Sequence, residues 1–213
     1  MRLSLGMVML VGALGTSACA SNPQSFLPPP STPMSAGIPQ HDPPPGFIGF
    51  CVRFADQCSS VASEPDTVTL DVKTWDLMNT VNARWNYKII PENDERHYGR
   101  VEFWTIPSDD YGDCKDYALA KRKELAEKGL PMKALRVAIV VTRQGERHAV
   151  LTLATDMGDY VLDNLTGEIR PWYMTGYQWL GRQDPRDDLG WVAFNGTGTQ
   201  LAELEPTAAP REN

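Results

Sequence analysis

The chain has 213 residues, 27 of them acidic against 20 Lys and Arg, for a formal net charge of −7. Its cations are dispersed among acids, so there is no basic stripe for nucleic acid; it also has no glycine-rich phosphate loop and no internal repeat. A hydrophobic share of 42%, with no second long apolar run after the N-terminus, points to one globular domain flanked by polar ends.

Met1-Arg2 followed by the apolar run Leu3 to Leu14 is too short to anchor in a bilayer and is read as a secretory signal over residues 1–20. Two processing readings stand. Ala18-Cys19-Ala20 is an A-x-A site for signal peptidase, whereas Thr16-Ser17-Ala18-Cys19 resembles a lipobox in which Cys19 is lipidated. Thr16 is a weak first lipobox position, but Ser21-Asn22 and the stretch after it suit a tethered lipoprotein of the outer membrane. Residues 21–46, with Pro28-Pro29-Pro30 and Pro43-Pro44-Pro45, read as a proline-rich linker.

Composition turns globular at residues 47–194. Cys51 and Cys58 lie close together in an exported context and are expected to form a disulfide. No second Cys/His pair stands at zinc-finger spacing. Thr69 to Ile89 reads as a helix capped by Thr69, with Leu70, Trp75, Met78, Val81 and Trp85 on one buried stripe. A charged loop with His97 leads to the apolar run Val101 to Ile106, where Trp104 is a packing residue or a support for an oxyanion pocket.

The run Ser108-Asp109-Asp110-Tyr111-Gly112 is turn-forming, and Cys114 stands where it meets a segment rich in helix formers that should end at Gly129 before Pro131. A thiol in the first turn of a helix feels unpaired N–H groups and the positive dipole end, which favour the thiolate nucleophile; the plain alternative is a small buried apolar residue. Three strands follow: Leu135 to Thr142, Arg147 to Ala154 and Tyr160 to Asp163. Of the three histidines only His148 falls in a regular element; a hairpin pivot near Thr155-Asp156 sets it opposite Asp163, whereas a pivot at Met157 shifts the register by about three residues. Nucleophile, base and orienter are then present as Cys114, His148 and Asp163, with the Cys114 N–H contributing to an oxyanion site. The expected fold is α+β, a nucleophile-bearing helix packed on an antiparallel sheet. The tail 195–213 is polar and expected to be disordered.

The blocks Gly112-Asp113-Cys114-Lys115-Asp116-Tyr117-Ala118, Gly145-Glu146-Arg147-His148-Ala149-Val150-Leu151 and Tyr160-Val161-Leu162-Asp163-Asn164-Leu165 resemble the bacterial transglutaminase-like cysteine proteinases of the LapG type. Val81-Asn82, Tyr98-Gly99, Trp172, Thr175-Gly176-Tyr177 and Trp179-Leu180 also fit that pattern. The resemblance implies a transglutaminase-like, papain-like fold and a periplasmic peptidase with a Cys-His-Asp triad. It further implies a protein substrate such as the N-terminal region of a large surface adhesin, and control by a cyclic di-GMP-responsive membrane receptor. It also implies calcium, held by acidic residues beside the nucleophile. Asp113 and Asp116 fit that ligand set, but Lys115 stands where the family commonly has glutamate, which weakens calcium binding or removes it. Two other functions share these residues: a transglutaminase or amidase using the same thioester, and a non-catalytic envelope binding module.

Overall fold

The computed structural model describes residues 27, 28, 30–40 and 43–194. The expected signal segment with Cys19, the start of the expected linker and the tail lie outside the described residues. The elements are β1 (Ile38–Gln40), α1 (Phe47–Arg53), α2 (Val72–Lys88), β2 (Ile90–Pro91), α3 (Asp94–Tyr98), β3 (Tyr111–Gly112), α4 (Cys114–Glu127), β4 (Leu135–Val141), β5 (Arg147–Thr155), β6 (Gly158–Leu162), β7 (Arg170–Pro171), β8 (Gln178–Gln183) and β9 (Trp191–Ala193). One antiparallel sheet runs in the order β1-β9-β8-β4-β5-β6-β7, and β2 pairs with β3 in a small parallel ladder. The mixed α+β architecture expected from the sequence is the one observed.

Both faces of the central strands are buried, which is why β4 to β6 read as nearly continuous apolar runs rather than alternating ones. On one face Val137, Ile139, Leu151, Leu153, Tyr160 and Leu162 pack with Phe47 and Phe50 of α1, Met78 and Val81 of α2, and Ala118, Leu119 and Leu125 of α4. On the other, Ala138, Val140, Val150, Val161, Trp179 and Val192 are covered in part by Met34.

Met34 belongs to the stretch expected to be linker, and the described residues from Ser31 onward correct that expectation. The Met34 N–H donates to Asp159 Oδ2 (2.5 Å), the Ser31 hydroxyl donates to the Asp159 carbonyl (2.8 Å), and Trp172 Nε1 donates to the Thr32 carbonyl (2.8 Å). Gly158, at φ 101°, lets this segment approach, since a Cβ there would lie 2.4 Å from the Thr32 nitrogen. Proline content argues against a central strand but not against an edge one, and β1 with Pro39 is an edge strand on β9.

Helix α2 starts later than expected. Its cap is Asp71, whose carboxylate accepts from the Thr74 N–H (2.7 Å). Residues 68–70 are drawn into the sheet instead, with Val68 bridged to Thr155 and the Leu70 N–H donating to Asp156 Oδ1 (2.9 Å). Helix α4 closes as the sequence indicates: Gly129 takes φ 96°, and the Leu130 N–H reaches back to the Leu125 carbonyl (3.1 Å). Cys51 and Cys58 form the expected disulfide. Arg122, buried in α4, joins that loop to the sheet by donating to the carbonyls of Gln57 (2.6 Å) and Leu135 (3.1 Å).

Candidate active site

Cys114 is the first residue of α4, and its presentation is set by the residues on either side. The Asp113 side chain accepts from the Lys115 N–H, while Asp116 Oδ2 accepts from the Asp113 N–H (3.1 Å), forming a reciprocal capping box. Gly112 makes room for it, because a Cβ there would meet Asp116 Cβ at 2.9 Å. The N–H groups of Asp116 and Tyr117 bond to the Asp113 carbonyl, and that of Cys114 has no partner among the described residues. An unspent N–H at a helix start is the donor an oxyanion needs.

Although part of Cys114 stays accessible, burial of its thiol pushes it up to about 12, and the Asp113 charge adds to this. Lys115 and the Ala149 backbone pull the other way. Burial thus works against the thiolate that the helix start was expected to favour.

His148 lies at the start of β5, paired with Val140, at the point where β8 slips register on β4. Its Nε2 is 2.7 Å from Asp163 Oδ1, and both side chains are buried. The hairpin pivots one residue later than expected, between Asp156 and Met157, with Thr155 opposite Gly158 and Leu151 opposite Leu162. One step further, Asp163 falls opposite Val150 and meets His148 diagonally rather than directly, which is still within side-chain reach. Asp163 Oδ1 also accepts the Leu165 N–H (3.0 Å), and Oδ2 accepts the Tyr177 hydroxyl (2.5 Å). Burial alone would raise this carboxyl, but His148, Tyr177 and Leu165 outweigh it and hold it below the usual aspartate value.

Tyr177 and Asn86 were not singled out for a role from the sequence. Tyr177 stands edge-on to the His148 ring (6.0 Å between centroids), and its own hydroxyl is pushed up by burial and by Asp163. Asn86 of α2 donates to the carbonyls of Asp163 (2.8 Å) and Thr166 (3.1 Å), fixing the turn after β6. Trp104 supports the core: its indole N–H donates to Glu102 (3.1 Å) and its ring packs edge-on against Phe47 and Trp191.

Asp94 was also missed, because it is remote from Cys114 in sequence. It starts α3, and with Asp113 and Asp116 it places carboxylate oxygens within 4.8 Å of one another. Calcium takes six to eight oxygens. Here the Asp94 and Asp113 Oδ2 atoms both pair with the Lys115 ammonium, and the Asp116 oxygens accept backbone N–H groups of Thr105 and Asp113. The three carboxylates are close enough together to hold a metal ion, but two of them are already paired with Lys115.

Lys121 of α4 is 0% exposed, and its Nζ has no hydrogen-bond partner among the described residues. Burial lowers it to about 7, opposed by the charge of Asp163. An unfolded lysine takes its proton near pH ~10.4, so between about 10 and about 7 the unfolded chain binds more protons and stability falls as pH falls. Lys121→Met should flatten that slope. Urea unfolding across this window is expected to show the variant gaining on the wild type toward neutral pH, by at least ~2 kcal/mol; parallel curves would contradict it.

The profile of the bacterial transglutaminase-like cysteine proteinases matches residues 38–199. No curated protein matches the chain. Among solved structures it is similar to Legionella pneumophila LapG in a calcium-bound form, with TM-score 0.48 and 20% identity over 63% of this chain and 80% of that one. An EGTA-treated form of the same protein gives TM-score 0.48 and 21% identity over 63% and 79%. The profile spans every strand of the sheet together with Cys114, His148 and Asp163, and the chain belongs to the bacterial transglutaminase-like cysteine proteinase family.

Proposed function

We propose that the protein is an exported, periplasmic cysteine endopeptidase in which Cys114 is the nucleophile, His148 the base and Asp163 its orienter. The observation that carries this is the buried 2.7 Å contact of His148 Nε2 with Asp163 Oδ1, on strand β5, which packs against the helix that Cys114 opens. A neutral imidazole donating from Nε2 keeps its lone pair on Nδ1, so Nδ1 is the basic nitrogen left for the thiol. The sulfur attacks the substrate carbonyl carbon and its proton passes to His148. The Cys114 N–H receives the oxyanion, the C–N bond breaks, and the imidazolium protonates the departing amine. Water then hydrolyses the thioester. The secretion signal directs this activity to envelope proteins, and a large surface adhesin is the substrate class the family resemblance supplies.

The test is the pH profile of iodoacetamide labelling at Cys114. A lone buried thiol pushed up to about 12 is inert at neutral pH, whereas one that passes its proton to His148 is not. The wild type should label at neutral pH, and His148→Ala should label there at least ~10-fold more slowly, recovering only in alkali. Superimposable profiles would remove His148 from the site.

A further inference from the structure

Three carboxylates meet beside the nucleophile, drawn from the starts of two helices. Asp94 opens α3, Asp113 caps α4, and Asp116 lies in its first turn. Asp94 is 5% exposed and Asp116 0%. Carboxylates gathered in such a place lose their hydration and repel one another, which raises Asp113 and pushes Asp116 up to about 8; a buried cation relieves the charge that remains. Lys115 supplies it from within the cluster: its Nζ lies 2.5 Å from Asp94 Oδ2 and pairs also with Asp113 Oδ2, and the residue is itself 5% exposed. Because Lys115 directly follows Cys114, the ammonium links α3 to the helix start that presents the thiol. Asp94 extends the link by accepting the Phe103 N–H through the same Oδ2 (2.6 Å).

We propose that Lys115 is the permanent cation of this cage, its ammonium standing where a divalent ion would otherwise be needed, so that the site beside Cys114 assembles without metal. The catalytic meaning of this rests on Cys114 being the nucleophile; the occupancy of the cage does not. A dication entering the cage would face the ammonium within a few ångströms and would have to displace it from Asp94 and Asp113. Asp94 Oδ1, buried without a hydrogen-bond partner among the described residues, is the atom a competing metal would use, and the test must therefore include calcium.

Thermal unfolding of the full chain reads occupancy without reference to turnover. The wild-type midpoint should be the same in EGTA and in millimolar calcium. Lys115→Glu replaces the cation by a fourth carboxylate; its midpoint should fall by about 10 °C in EGTA and recover when calcium is added. Asp94→Asn removes one wall of the cage from the ammonium, so it should lose stability equally in both buffers, and it gives an answer even if Lys115→Glu does not fold. A wild-type midpoint raised by calcium overturns the proposal. So does an Asp94→Asn loss confined to calcium, or a Lys115→Glu loss that calcium leaves unrepaired.

Discussion

Cys114→Ala should lower turnover by at least ~10⁴-fold, and the double variant Cys114→Ala/His148→Ala should be no worse than the single one. The non-additivity follows from the arrangement. Burial and the Asp113 charge hold the thiol protonated, so Cys114 has little reactivity until a base takes its proton, and the base has no task without the sulfur. The residual rate belongs to whatever the Cys114 N–H and the substrate contacts provide alone. Burst release from an activated ester and cleavage of an unfolded protein substrate both read the effect. Losses that multiply in the double variant would mean that the two side chains act independently and that the triad is misassigned.

Asp163→Ala should cost about 10³-fold in turnover, because it leaves the imidazole without its Nε2 partner and also strands the Tyr177 hydroxyl and the Leu165 N–H. Asp163→Asn should be milder. Its amide oxygen can still accept from Nε2 and keep the lone pair on Nδ1, while the Tyr177 hydroxyl turns to accept from the amide nitrogen; what is lost is the charge that stabilises the imidazolium. Tyr177→Phe, which keeps the ring against His148 and removes one hydrogen bond to Asp163, should cost about tenfold. The ordering Ala, Asn, Phe from most to least damaging is the readout, measured as turnover at saturating substrate on variants with wild-type unfolding midpoints. A Tyr177→Phe variant as impaired as Asp163→Ala would move Tyr177 from a positioning role into the chemistry.

Local chemistry wrote much of this protein in one dimension. The Gly112-Asp113-Cys114 turn into a helix, the Gly129 stop, the strands around His148 and Asp163, and the Cys51–Cys58 pairing were legible because each is settled by residues close together in sequence: caps, breakers, β-branched runs and short loops. The site's chemical identity came with them, since three short blocks carry it. The start of α2 was misplaced because Thr69 and Asp71 are both competent caps, and the choice was made by a distant partner, the Asp156 carboxylate holding Leu70 in extended form. Met34 and β1 escaped because proline content describes what a segment does alone, not what an exposed sheet edge and an uncovered apolar face can recruit.

Tertiary structure alone decided the energetics of the site. A cysteine at a helix start carries the same dipole argument in any fold; only packing reveals that its thiol is desolvated, which opposes the thiolate. The Tyr177 hydroxyl on Asp163 and the Asp94 carboxylate on Lys115 both come from elements remote in sequence, and no spacing rule links them to the blocks that carry Cys114, His148 and Asp163. Sequence determined which groups are available and which local conformations they favour. Charge balance and proton affinity depend on distance and dielectric, and those were fixed only when α3, α4 and β5 came together.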